Sequence, residues 1–177
     1  CPTVSVLIPC YNAARHIGET LESVFRQSWP QIEVIVINDG STDCSGDIVR
    51  SFARQNLKLI DQDNCGQSAA LNVGLRYATG AFIQFLDSDD LLEQDKIKSQ
   101  AVRLLDHPRC IASAEWARFY GDLSSARFDP EPVWGDLDPL DWLALSRDQG
   151  LDMMFPALWL VPSAVDKRLD LGRRISL

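Results

Sequence analysis

Apolar, β-branched runs recur at regular intervals through the first half of this chain, each followed by an amphipathic stretch, and that alternation limits the folds open to it. Val4-Ser5-Val6-Leu7-Ile8, Glu33-Val34-Ile35-Val36-Ile37, Leu57-Lys58-Leu59-Ile60 and Phe82-Ile83-Gln84-Phe85-Leu86 begin about 25 to 29 residues apart. Between them, Ile17, Leu21, Val24 and Phe25 recur at helical spacing and predict a helix over about 14–28. Ile48, Val49, Phe52 and Ala53 mark a second helix, and Leu71, Leu75 and Ala78 a third over 68–78, with Gly80 expected as its left-handed terminator. Ile97, Ala101, Leu104 and Leu105 mark a fourth, closed by Pro108. Strands that alternate with helices imply right-handed crossovers and a mainly parallel sheet. Strands that are apolar throughout, rather than every second residue, imply helices on both faces of that sheet. The fold class is therefore α/β.

Beyond Cys110 the pattern loosens. Ile111-Ala112-Ser113-Ala114 reads as a further strand, with Trp116 to Tyr120 as its continuation or partner. Residues 122–136 form a surface excursion rich in Pro, Gly and Asp, and Asp138-Pro139 opens a short helix through Leu143. Pro156 to Val161 reads as a last strand. With 177 residues and no visible linker, the chain is expected to be one domain, 1–177, with its acceptor and base side continuing past Leu177.

The net charge of −8 argues against nucleic acid as a partner. Cys1, Cys10, Cys44, Cys65 and Cys110 are scattered and form no CxxC pair, and there are two histidines, so a structural zinc site is not expected. Reduced thiols, no signal peptide and no apolar run of about 20 residues predict a cytoplasmic protein, with room for peripheral association at the inner face of the membrane.

The chemistry is expected at the strand ends. In a parallel sheet all C-terminal strand ends share one edge, so Pro9-Cys10-Tyr11-Asn12, Asn38-Asp39-Gly40 and Asp87-Ser88-Asp89-Asp90 should converge. Asp39 can accept hydrogen bonds from a pyrimidine N–H or a ribose hydroxyl, and Tyr11 offers a ring to stack on a base. Asp89, helped by Asp87, offers hard oxygen ligands suited to Mg²⁺ or Mn²⁺ bridging a diphosphate. The bland alternatives are a solvated acidic loop, an Asx-turn from Asp39 to Ser41, and a helix cap or supporting role for Asp90. His16 and His107 read as merely exposed, and Cys10 and Cys65 as bystanders beside the site. Trp116, Trp134, Trp142 and Trp159 read mostly as core, with one or two available as a platform for an acceptor sugar.

Four segments together carry a family resemblance. Val4 to Asn12, Val36-Ile37-Asn38-Asp39-Gly40-Ser41-Thr42-Asp43, Asn64 to Leu75 and Leu86-Asp87-Ser88-Asp89-Asp90 resemble, in order and spacing, the family 2 glycosyltransferases. The resemblance covers about the first 110 residues. It implies a GT-A fold, a nucleotide-diphospho-sugar donor, commonly UDP-linked, a Mg²⁺ or Mn²⁺ ion, and transfer with inversion to a glycan, lipid-linked or protein acceptor, as in cell-surface polysaccharide synthesis. It further implies that Pro9 and Tyr11 line the uridine pocket, Asp39 contacts the base, Asp87 lies by the ribose and diphosphate, and Asp89 is the main metal ligand. Asn12, Gly40, Gln67 and Ser88 complete the donor-binding residues it implies. Inverting transfer also needs a carboxylate base, which the family carries as a downstream Glu-Asp pair. No such pair occurs between Val165 and Ile175, where Asp166 and Asp170 are the nearest carboxylates and Arg173-Arg174 stands in its place. The catalytic base is unidentified, so a donor-binding domain or fragment without turnover is the alternative. A nucleotidyltransferase would want a Gly-rich basic loop after the first strand, and a dehydrogenase GxGxxG; neither is present.

Overall fold

The computed structural model describes residues 1–119, 123–148 and 156–163. Among these, five strands form one sheet in the order β3-β2-β1-β4-β5: β1 (Val4–Cys10), β2 (Ile32–Asp39), β3 (Leu57–Gln62), β4 (Phe82–Phe85) and β5 (Leu160–Pro162). The first four are mutually parallel; β5 runs antiparallel to β4, pairing Gln84 with Leu160 and Phe82 with Pro162. The helices are α1 (Ile17–Phe25), α2 (Ser45–Ser51), α3 (Gln67–Tyr77), α4 (Lys96–Asp106) and α5 (Pro139–Asp148). No helix among the described residues is long and apolar enough to cross a membrane.

β1 is buried at every position, which explains its unbroken apolar character. Its Val4, Val6 and Ile8 meet Ile17, Leu21 and Val24 of α1, Val49 of α2 and Ile97, Ala101 and Leu104 of α4 in one core cluster. On the opposite face Leu7 joins Ile35, Ile37 and Ile83 against Ala70 and Leu71 of α3. Helices thus cover both faces of the sheet, three on one and one on the other, as the sequence predicts.

Several local expectations change. α1 is shorter than the periodicity implies, beginning at Ile17 because residues 12–14 are drawn into loop hydrogen bonds. Ala53 is not in α2 but beyond its end, at φ 42°. Gly80 does not terminate α3 in a left-handed conformation; α3 ends at Ala78 in extended backbone. Gly80 is needed for space: a Cβ there would lie 2.7 Å from the Ser5 nitrogen and 2.8 Å from the Thr3 carbonyl oxygen. The 111–114 strand reduces to a single bridge from Ala112 to Leu160, and Arg118 makes another with Arg127. Of the last strand, Pro156–Leu158 is a 3₁₀ turn and only Leu160–Pro162 pairs.

Two polar clusters tie distant segments together. Glu33, on β2, accepts hydrogen bonds from the Ser5 hydroxyl, the Thr79 amide at 2.7 Å, its hydroxyl at 2.9 Å and the Gly80 amide at 3.0 Å. Burial pushes the Glu33 carboxyl up, but these donors outweigh it and hold the group below its ordinary value. On the other face Lys96 Nζ donates to Gln84 Oε1 and to the Ala157 carbonyl, which also accepts from Gln84 Nε2 at 2.9 Å. Gln100, one turn along α4, donates to the carbonyls of Ala112 at 3.0 Å and Leu158 at 2.7 Å. These side chains dock the segment leading into β5 against β4 and α4.

Candidate functional site

The parallel sheet places the C-terminal ends of β1, β2 and β4 along one edge. A cleft of about 280 Å³ opens there, lined by Pro9, Cys10, Tyr11, Asp39, Gln67, Asp87, Ser88 and Asp89. Among the residues expected from the sequence, Pro9, Tyr11, Asp39, Gln67, Asp87, Ser88 and Asp89 meet in this cleft. Asn12 and Gly40 are not among its lining residues. Asn12 turns its carboxamide oxygen to Thr42, accepting from the amide at 2.8 Å and the hydroxyl at 3.2 Å. Gly40 adopts φ 71°, and a Cβ there would sit 2.8 Å from the Asn64 amide nitrogen, so it permits close packing of two loops.

Asp39 ends β2 and is 3% exposed. Its Oδ1 accepts from Gln62 Nε2 at 2.7 Å and the Cys65 amide at 2.9 Å, and its Oδ2 from the Gly66 amide at 2.8 Å. A carboxylate offers about four acceptor positions, so these three donors leave room for one more. The bend here is held by the neighbouring side chain, with Asn38 Oδ1 accepting from the Ser41 amide, three residues on, at 3.2 Å. By fixing Cys65 and Gly66, Asp39 also sets the start of α3, whose first residue, Gln67, donates from Nε2 to Asp87 Oδ1 at 2.6 Å.

The acidic stretch follows β4 as a turn. The Asp90 amide bonds back to the Asp87 carbonyl at 3.1 Å, and Thr20 of α1 donates its hydroxyl to the Ser88 carbonyl at 2.9 Å. Burial, then the nearby Asp89 carboxylate, push the Asp87 carboxyl above its ordinary range, against the pull of the Gln67 hydrogen bond. Asp90 is pushed up to about 6 by burial and then by Asp87 and Asp89. It does not cap α4, whose N-cap is Asp95. Among the described residues no basic side chain offsets either shift. Carboxylates that crowd each other without a cation from the protein have the donor chemistry of a divalent-ion site. The described residues contain no cluster of three or more potential ligands. One or two carboxylates are what a Mg²⁺-type ion takes when water and phosphate oxygens fill its remaining positions.

Cys10 lines the cleft but is 1% exposed, and burial pushes its thiol up, so it contributes a neutral wall. Sequence reasoning missed the partners of the two loops: Ser41, Thr42, Asp43 and Ser45 clasp residues 12–14, and Gln62 braces Asp39. The only signal available was the density of short polar side chains from Asn38 to Ser45. The four tryptophans of the second half form two edge-on pairs, Trp116 with Trp134 at 5.2 Å and Trp142 with Trp159 at 5.1 Å between ring centres. Asp166 and Asp170 lie outside the described residues.

Among proteins of known structure, the chain is similar to S. aureus TarS in complex with UDP-GlcNAc, with TM-score 0.77 and 26% identity over 93% of this chain and 46% of that one. It is also similar to the mannosyltransferase PcManGT from Pyrobaculum calidifontis in complex with GDP-Man and Mn²⁺, with TM-score 0.69 and 25% identity over 97% of this chain and 47% of that one. The expected GT-A architecture agrees with these likenesses. In sequence it is 43% identical over 148 residues to the uncharacterized glycosyltransferase YibD of Escherichia coli, covering 80% of this chain and 43% of the relative. It is 36% identical over 118 residues to the glycosyltransferase GlyA of Streptococcus pneumoniae, covering 66% of this chain and 17% of that protein. The chain therefore spans less than half the length of each of these relatives. The Glycosyl transferase family 2 model matches residues 5–160, nearly the whole of the described sheet and its helices. The chain belongs to glycosyl transferase family 2.

Proposed function

We propose that this chain is the donor-binding half of an inverting glycosyltransferase that takes a sugar from a nucleoside diphosphate, UDP in the first instance, and passes it to an acceptor hydroxyl of a cell-surface glycan. The observation that carries this reading is the meeting of an exposed aromatic ring, a braced carboxylate and a crowded carboxylate pair in one cleft. In this reading Tyr11 stacks on the base, and the remaining acceptor position of Asp39 takes the pyrimidine N–H. Asp87 and Asp89 would hold a Mg²⁺ or Mn²⁺ ion, and the Mn²⁺ and GDP-Man named with PcManGT support that choice of ligand class. When bound, such an ion supplies Lewis-acid stabilisation of the negative charge that grows on the departing diphosphate.

The chain's own residues orient that leaving group. Gln67 fixes the Asp87 carboxylate, and the amino end of α3 faces the same cleft, adding a favourable field for an anion. Thr20 anchors the turn that carries Asp89. A nucleotidyltransferase reading is disfavoured because the amides after β1 are already engaged by Ser41, Ser45 and Asp43, leaving no amide cradle for a triphosphate.

Calorimetric titration with UDP and GDP, with and without Mn²⁺, tests the reading. UDP binding that requires Mn²⁺ and is lost in Asp89→Ala is expected. Unchanged binding in that variant would remove Asp89 from the metal site. Turnover is tested separately, by measuring donor hydrolysis and transfer with the full-length gene product and with this chain.

A further inference from the structure

Asn12 occupies a left-handed conformation, φ 49°, that side-chain-bearing residues adopt uncommonly. Three consecutive amides beginning there are tied to the loop after β2. The Asn12 amide donates to Ser41 Oγ at 3.1 Å, the Ala13 amide to Ser45 Oγ at 2.8 Å and the Ala14 amide to Asp43 Oδ2 at 3.1 Å. The Asn12 carboxamide oxygen returns the contact by accepting from Thr42. Asp43 is itself held by the Ser45 amide at 3.0 Å and the Ser45 hydroxyl, which keep its carboxyl below the ordinary range. Tyr11 stands immediately before this clasp. It is 51% exposed, and among the described residues no hydrogen bond or ring contact holds its side chain. Its position therefore comes from the backbone that carries it.

We infer that Asn12 is a positioning residue for the nucleoside end of the donor: the clasp from residues 12–14 to residues 41–45 fixes the backbone at Tyr11, so that the ring waits in place for the base. This rests on the reading of Tyr11 as the base platform. Its physical content is preorganisation, since a ring already placed loses little freedom when the base arrives. The clasp also joins β1 to β2 at the point where Asp39 presents its carboxylate, so both base-contacting groups sit on one braced unit. None of the clasp's own hydrogen bonds reaches the turn after β4, which carries the metal and diphosphate end.

That separation gives the test. Tyr11→Ala, Asn12→Ala and the double variant are titrated calorimetrically with UDP and with inorganic pyrophosphate, each in the presence of Mn²⁺. Asn12→Ala is expected to weaken UDP about tenfold and leave pyrophosphate unchanged, with the double variant no worse than Tyr11→Ala alone. Asn12→Gly keeps the backbone conformation, lacks the carboxamide acceptor and carries the same test if the alanine variant does not fold. Equal losses for UDP and pyrophosphate would show general damage and overturn the inference. So would losses that multiply in the double variant, or an unaffected UDP affinity in both Asn12 variants. If Tyr11→Ala itself binds UDP normally, base stacking fails, and the clasp inference fails with it.

Discussion

Glu33 is remote from the cleft, yet it gathers donors from three segments, β1, the end of α3 and the approach to β4. Replacing it with alanine leaves the Thr79 amide, the Thr79 hydroxyl and the Ser5 hydroxyl without their acceptor, while the Gly80 amide keeps Ser5 Oγ at 2.9 Å, and a loss of about 1–3 kcal/mol is expected in urea unfolding. Its folded carboxyl lies below the ordinary 4.5, so its ionised form stabilises the fold fully above that value and ceases to do so as pH falls through the folded pKa. Glu33→Ala should therefore show a smaller acid-induced drop in unfolding midpoint than the parent chain between neutral pH and the acid range. At the residue scale the cleft was partly legible. Asp39, Asp87 and Asp89 stand out because a carboxylate closing an apolar strand cannot be buried without a partner. The work of Asn12 and Gly40 was not legible, because spacing along the chain does not reveal that two loops roughly 30 residues apart interlock. Asn12 is tied to the loop after β2, and Gly40 is packed against Asn64.

At the scale of elements, β1 to β4 and α1 to α4 follow from periodicity, since β1, β2 and β4 are buried on two faces, the edge strand β3 is partly buried, and each helix carries one apolar stripe. The remainder was obscure for a definite reason. The segments after Cys110 are held by side-chain bonds from Gln84, Lys96 and Gln100 to backbone carbonyls, and such bonds leave no hydrophobic period to read. Lys96 makes a specific prediction. Burial lowers its ammonium from 10.5 to about 7. Between those values the unfolded chain holds a proton that the folded chain gives up, so stability should rise as pH increases from about 7 and level off above the unfolded pKa. Lys96→Met should flatten that rise, measured as the urea midpoint across the same pH range. Gly80→Ala tests the packing at the other end of β4: a Cβ 2.7 Å from the Ser5 nitrogen has no flexible neighbour to yield, and a loss of about 1–3 kcal/mol or more is expected.

For the whole molecule, the strand order β3-β2-β1-β4 brings loops from across the first 90 residues to one edge, and β5 closes β4 as an antiparallel neighbour. Parallelism was evident from the alternation of strands and helices, whereas the order of strands was not, because any right-handed crossover set satisfies the same pattern. The order matters to the site: β1 is central and is flanked by β2 and β4, so Tyr11 stands between Asp39 on one side and Asp87 on the other. The proposed function requires one ligand to span this arrangement, base toward Tyr11 and Asp39, diphosphate and ion toward Asp87 and Asp89. Amide NMR of this 19.8 kDa chain tests it directly. With UDP present, Mn²⁺ should broaden the amides of Gln67 and of residues 87–90 most strongly, while UDP with Mg²⁺ should shift those of Tyr11, Cys65 and Gly66. Broadening centred instead on the separate surface hollow at Asp106–Cys110, with the 87–90 amides unaffected, would contradict it.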